Sequence, residues 1–423
     1  MKESFLHFIW QNKKFDFTHL QTTCGKSIVI IDTGQFTQKS GPDFFNAKLI
    51  IDNQKWAGNV EMHCNSSDWF LHHHEKDDKY NNVILHVVWN HDSEVFTKGN
   101  HTIPVLEIKQ YTPTNLLFNY ENLLQPKTWI NCENQLQNVS NERLLFWFER
   151  LYIERLEKKS LEIQKLLETC VYDWEATFFF FLAKGFGLNS NGELFYENLL
   201  QIPYSVIRKE KSNLQSLEAL FLGANGLLEN EIQDRYGNEL KSIWIYLKQK
   251  YNLSNAIVKP EFFKHRPDNF PTIRLVQLAS LVYEHQFLFD YCMTHHSLPF
   301  FYSTFKTSVS DYWKTHYLFD KVSKNKNKLI SNSFIDLLLL NVVLPVKFAF
   351  QMHQGNSDID QITQLAFALK PEANTIVSRF KDLGIEAQNS LESQALLQLK
   401  KEYCALNKCL NCVIGQKLIN FTT

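Results

Sequence analysis

The spacing of apolar and polar residues divides the 423-residue chain into two stretches of different character. Up to residue 115, short apolar runs are bounded by turn-forming residues, the pattern of strands. Such runs cover residues 27–32, 44–51, 56–63, 83–89 and 103–108, after a segment at 2–10 that predicts a short helix. Between the third and fourth runs, the sequence SSDWFLHHH at 66–74 predicts a helical turn capped by Ser66 or Ser67. The run VILHVV at 83–88 is apolar on both faces, as a covered central strand requires.

Beyond Pro126 the apolar residues recur with the helical period. Segments 141–168, 174–186, 214–222, 273–290 and 389–408 predict helices. In the first, Leu144, Leu145, Phe148, Leu151, Tyr152 and Leu156 form the apolar stripe, and Ser140 stands where a cap belongs. The most apolar run, 334–350, carries Asp336, Asn341, Pro345 and Lys347, which predicts a buried core helix and no membrane span. The polar run SKNKNK at 323–328 predicts an exposed loop. The expected fold class is α+β. A small N-terminal module with a mixed sheet (residues 1–115) runs helix, three strands, a helical turn and two strands; a larger, mainly helical region (116–423) follows.

Composition changes this picture little. With 44% hydrophobic and 21% charged residues, wholesale disorder is excluded. Lysine plus arginine number 44 against 45 acidic residues, which excludes a uniformly basic coat and permits a local basic groove. Glycines number only 14, and neither G-x-G-x-x-G nor G-x-x-x-x-G-K-[ST] occurs, which argues against dinucleotide-binding and P-loop enzymes. The first apolar stretch is short and carries Glu3 and His7, so no export signal is predicted. The eight cysteines then read as thiols or metal ligands, and the expected location is the cytoplasm.

Candidate chemistry concentrates in Ser40-Gly41-Pro42-Asp43-Phe44 and Gly58-Asn59-Val60-Glu61-Met62-His63. The intervening Asp52-Asn53-Gln54 is turn-forming. A three-residue loop there pairs Ile51 with Lys55, sets Asp43 opposite His63 and leaves Glu61 one diagonal step away, all on one face. A two-residue loop sends Asp43 to the other face from Glu61 unless a bulge intervenes. Two carboxylates and an imidazole converging at a sheet edge invite a divalent cation, Mg2+ or Mn2+, whose open positions accept a phosphate oxygen and an attacking water.

This arrangement resembles the PD-(D/E)xK nuclease superfamily. Pro42-Asp43 matches its aspartate at the opening of the second strand, and Glu61-Met62-His63 matches its (D/E)-x-K triplet on the third. The resemblance implies a nuclease-like core of helix, three strands, helix and strand. It also implies magnesium bound by Asp43 and Glu61, hydrolysis of phosphodiesters in DNA or RNA, and a glutamate on the first helix, which Glu3 supplies. His63 departs from the pattern, standing where the superfamily has lysine. An imidazole there serves as a base or as a ligand favouring manganese, and the departure equally fits a non-cleaving scaffold that binds nucleic acid or protein. The chain as a whole resembles a bacterial family catalogued as domain of unknown function 2851. The resemblance rests on GPDFFNAKLIID, GNVEMH, SSDWFLHHHEKDDKYNNVILHVV, RPDNFPTIRLVQLA and the terminal cysteine group. It implies a bacterial source and no particular activity.

Other clusters leave alternatives open. His72 and His74 read as a solvated helix end or as groups reaching the same metal or a substrate phosphate. His86, inside an apolar strand, reads as a satisfied core histidine or as support for the site. Trp69 and Tyr80 read as packing. Arg266 and Arg274 flank a turn in which Asn269 and Pro271 open a helix, and read as Arg–Asp pairing or as phosphate contacts. On the long helix, Arg143, Arg150, Arg155, Lys158 and Lys159 alternate with glutamates, which predicts a salt-bridged, solvated face. Cys404, Cys409 and Cys412 form a C-x4-C-x2-C group suited to Zn2+ or an iron–sulfur cluster, with a fourth ligand from Cys132 or else Cys64.

Overall fold

In a computed structural model, all residues are described except 1, 38–39, 126–127, 139–140, 255, 257, 357–358 and 421–423; residues 137, 138, 141 and 143 are described by their backbone alone. The cap expected of Ser140 and the side chain of Arg143 therefore lie outside the described residues. The chain packs as two units, one of Met1–Trp147, Asp382–Gly384 and Leu399–Thr423, the other of Phe148–Lys381 and Ile385–Gln398. Residues 116–147 and the chain end thus group with the N-terminal module rather than with the helical region. One reason is that Asn119 donates from Nδ2 to the carbonyl of Ile419, 3.1 Å away.

The first unit runs α1 (Glu3–Gln11), β1 (Ser27–Asp32), β2 (Phe44–Ile51), β3 (Gln54–Asn65), α2 (Asp68–Leu71), β4 (Val83–Asn90), β5 (Val105–Glu107) and α3 (Thr114–Leu124). Two-residue strands at Leu20–Gln21 and Gln35–Phe36 complete a seven-stranded mixed sheet. Its antiparallel part joins β1, β2 and β3; β4 then pairs in parallel with both β3 and β5. The first six residues of β4 are buried, as its unbroken apolar run requires. Neither serine caps α2 in the expected way. The Ser66 and Ser67 hydroxyls donate instead to Asp92, at 2.9 and 2.7 Å, tying the start of α2 to the loop after β4.

The β2–β3 hairpin corrects the expected register. Its loop is two residues, Asp52 and Asn53, both left-handed (φ 50° and 65°), and Ile51 pairs with Gln54. Such a loop alone would turn Asp43 away from Glu61. A bulge between Phe44 and Ala47 restores the face: Asn46 takes φ 56°, its N–H donates to Asn59 Oδ1 at 3.3 Å, and Phe44 pairs with Val60. Asp43 consequently comes opposite Glu61, not His63. Gly58 is required where β3 passes the start of β4, since a Cβ there would sit 2.4 Å from Ile84 Cγ2 and 2.7 Å from the Asn82 carbonyl.

The second unit is helical. Its apolar helix Asn332–His353 is long and apolar enough to cross a membrane, but 72% of its most apolar window is buried within the protein. Pro345 lacks an N–H, and the preceding turn Leu339–Val343 widens to a π-helix that absorbs the mismatch. Within this helix, buried Lys347 donates to the carbonyls of Cys292, Met293 and His295.

Several local expectations are corrected. The segment 273–290 breaks at His285 into helices Pro271–Glu284 and Leu288–Thr294. The segment 389–408 is an α-helix at Ser390–Gln398 that passes into a π-helix at Leu399–Cys404. Asn269 does not cap Pro271–Glu284, because its Oδ1 accepts from Arg274 instead; the pairing expected for Asp268 goes to Lys326 and Tyr317. Lys328 closes the SKNKNK loop buried, with its ammonium on the carbonyls of Trp313, Lys314 and His316. On the helix Asn141–Thr169, Leu145 is exposed, off the apolar stripe. Arg150 pairs with Glu154 as expected of a charged face, whereas Lys159 turns inward to Asn341 and burial lowers its pKa to about 7.

Candidate metal centre in the sheet unit

Strand alternation sends Glu61 and His63 to one face of β3, and both are buried there. His72 ends α2 and stays exposed, while the sharp turn at His73, which adopts φ 60°, carries His74 onto the buried face. Four ligand atoms consequently meet. His63 Nε2 lies 3.0 Å from His72 Nδ1 and 3.7 Å from Glu61 Oε1, and Glu61 Oε1 lies 3.3 Å from His74 Nε2. The three imidazoles offer ligand atoms all within 4.8 Å of one another. A cation with bonds of about 2.0–2.1 Å to nitrogen sets neighbouring ligand atoms roughly 2.9–3.4 Å apart, which matches the shorter of these separations.

His86 orients the cluster from beneath. Its Nε2 lies 2.8 Å from His63 Nδ1. If His63 keeps Nε2 as a lone pair toward the cluster, Nδ1 carries the proton and donates to His86, an assignment made from the hydrogen-bond pattern. Trp69 and Tyr80 pack as expected: Trp69 is fully buried, with its indole N–H on the Phe96 carbonyl, and Tyr80 stacks on His74 at 3.8 Å.

Asp43 stands beside this point on β2. Its N–H donates to Glu61 Oε2 at 3.0 Å, and its Oδ2 accepts from the Met62 N–H at 3.1 Å. His7 Nε2 lies 3.1 Å from the same Oδ2. Glu3, one helical turn before His7 on α1, is half-buried and feels His72, Asp43 and His7. The structure thus brings Glu3, Asp43, Glu61, His63, His72, His74 and His86 together in one unit. Arg266 belongs to the other unit, where it lines a cleft of about 230 Å³ with Arg274, Lys326 and Lys328. Sequence reasoning missed His7; the i, i+4 spacing from Glu3 was the available signal.

The electrostatics follow from crowding in a poorly solvated place. Burial, with Asp43 adding to it, pushes the Glu61 carboxyl well above its usual range. Burial together with the His86, His74 and His72 rings pulls His63 down to about 2. His86 falls to about 3 and His74 is also lowered, both chiefly through burial. Imidazole nitrogens beside a carboxyl whose ionisation a positive charge would favour form a donor set suited to a transition metal more than to magnesium. The buried His74 Nε2 has no hydrogen-bond partner, although it lies against Glu61, as suits an atom reserved for a ligand.

Four of the cysteines gather elsewhere in the same unit. Cys132 lies with Cys404, Cys409 and Cys412, whereas Cys64 sits near Glu3 and Asp68. No curated protein and no solved structure matches this chain. Residues 3–375 match the family model described as protein of unknown function (DUF2851), a span that includes the whole histidine–carboxylate cluster and stops short of Cys404. With so much of its length matched, the chain belongs to that family.

Proposed function

We propose that the sheet unit is a metal-dependent phosphodiester hydrolase acting on nucleic acid. The observation that carries this reading is the meeting of His63, His72 and His74 with ligand atoms within 4.8 Å of one another, with Glu61 Oε1 3.3 Å from His74 Nε2 and the Asp43–His7 pair beside them. Glu61 and the three imidazoles would hold the cation, and His86 would fix the ring of His63. A bound cation would supply Lewis acidity toward a phosphate oxygen and lower the pKa of a water. His7, oriented by Asp43, takes the proton from the attacking water, and Glu3 positions that water from α1. This division moves His63 from the base expected from sequence to a ligand, and manganese suits the mixed imidazole–carboxylate set. The likeness of Pro42-Asp43 and Glu61-Met62-His63 to the PD-(D/E)xK pattern supports a phosphodiester substrate.

The test is a cleavage assay of the full chain on DNA and RNA with Mn2+, Mg2+ or Zn2+, alongside calorimetric metal titration. Glu61→Ala and His74→Ala should lose both metal and turnover. His7→Ala should keep the metal and lose turnover. Unchanged cleavage in Glu61→Ala overturns the proposal. A second reading, a non-cleaving scaffold that binds nucleic acid or protein, draws on the balance of 44 basic and 45 acidic residues. Binding without cleavage, indifferent to metal, selects it.

A further inference from the structure

The thiols at the chain end acquire their partner across 271 intervening residues of sequence. Cys132 sits in the turn before the 3-10 helix Glu133–Asn138. Cys404 ends the π-helix Leu399–Cys404, Cys409 opens the turn Cys409–Asn411, and Cys412 precedes the helix Val413–Ile419. All four are free, and Cys412 is buried. Burial raises all four thiols, and Cys132 and Cys404 are each raised further by their neighbours among the four.

The surroundings are built to hold sulfur. Asn131 Nδ2 reaches Cys409 Sγ at 3.5 Å and Asn407 Oδ1 at 3.0 Å, bracing the turn. Backbone N–H groups of Ile414 and Gly415 face Cys412, the arrangement that favours a thiolate at a helix start. Gly415 admits the close return of the chain, since a Cβ there would lie 2.1 Å from the Cys409 carbonyl oxygen. Lys400 donates to the Trp129 carbonyl at 2.5 Å, joining the same two segments.

Spacing discriminates between the metals. A single zinc ion with bonds of 2.3 Å sets its sulfurs roughly 3.8 Å apart. Among the described residues, no three of these sulfurs lie within 4.8 Å of one another, although His63, His72 and His74 meet that limit. Thiolates that each bind a different iron stand farther apart than thiolates sharing one ion. We infer that Cys132, Cys404, Cys409 and Cys412 ligate a four-iron iron–sulfur cluster that clips the C-terminal segment to the turn around Cys132. Uptake of a preformed four-iron, four-sulfide cluster releases the four thiol protons, exchanges the cluster's carrier ligands for four cysteine thiolates and changes no oxidation state. The role is structural: the cluster fixes the return of residues 399–420 to the sheet unit, a closure over a long loop that is entropically costly without a link.

The test uses the full chain purified without oxygen. Iron and acid-labile sulfide should approach four of each per chain, with a brown visible absorption that air bleaches. Cys132→Ala, Cys404→Ala and Cys409→Ala should each lower bound iron at least tenfold, while Cys24→Ser and Cys170→Ser keep it. The wild-type analysis decides even if a variant fails to fold. Stoichiometric zinc without iron overturns the cluster, and so does metal-free protein whose four thiols all react with a thiol reagent while native.

Discussion

The two units bury polarity in opposite ways. In the helical unit, several buried polar groups stand apart from others of their kind, with partners of complementary type. Lys347 has three carbonyls, Glu218 accepts from the Tyr236 hydroxyl and the Trp313 indole, and Asn198 donates to Asn225 and Val258. In the sheet unit, groups of one kind are pressed together: four imidazoles centred on His63 beside Glu61, and the four thiols of Cys132, Cys404, Cys409 and Cys412. A lone polar group with matched partners stabilises a fold. Like groups crowded together raise each other's desolvation cost, and their retention points to a ligand that offsets it.

The sharpest way to break this contrast is to remove Glu61 or His74. We expect Glu61→Ala to abolish metal binding and cleavage while leaving the urea midpoint of the helical unit unchanged; an unaffected metal isotherm would sink the site. Next in size is Phe221→Ala. This fully buried ring packs against Phe179, and its loss should cost about 3–5 kcal/mol in urea unfolding, with metal affinity preserved. Coupled loss of metal would show that the units do not divide these tasks.

Smaller effects sharpen the comparison. His86→Phe should weaken metal affinity by about 10–100-fold without removing a ligand, as read by titration. Glu218 tests the helical unit by pH. Burial raises its folded pKa, so above the ordinary glutamate range the unfolded chain loses a proton that the folded chain keeps. Stability from this group therefore falls as pH rises toward its folded pKa. Glu218→Gln should remove that decline as pH rises above the ordinary glutamate range, and parallel curves for the two proteins would contradict it. At the small end, Lys98→Ala removes an exposed pair with Asp78 and should leave the urea midpoint unchanged within the scatter of replicate curves.

Much of the fold was legible locally. The strand at 44–51 and the helix at 174–186 have the bounds their patterns predict, because alternation and helical period reflect which face is buried. The segment 273–290 was misread as one helix because its apolar residues continue past His285, where the backbone turns extended. Part of the candidate site was legible too. Asp43, Glu61 and His63 stand out by type and spacing, yet their register depended on a bulge at Asn46 that no residue pattern announced. His72 and His74 read as a solvated end; His72 is exposed, but nothing local reveals that beyond the left-handed turn at His73 the ring of His74 is buried against Glu61.

Residue order alone thus specified the α+β division, the carboxylate-bearing hairpin and the tight cysteine triplet, since each depends on neighbours a few positions apart. Long-range folding settled which imidazoles meet Glu61, that His7 joins Asp43, and that Cys132 rather than Cys64 approaches the chain end. Those pairings are set by how separate elements pack around a shared core, and that packing is a property of the whole unit, not of any stretch within it.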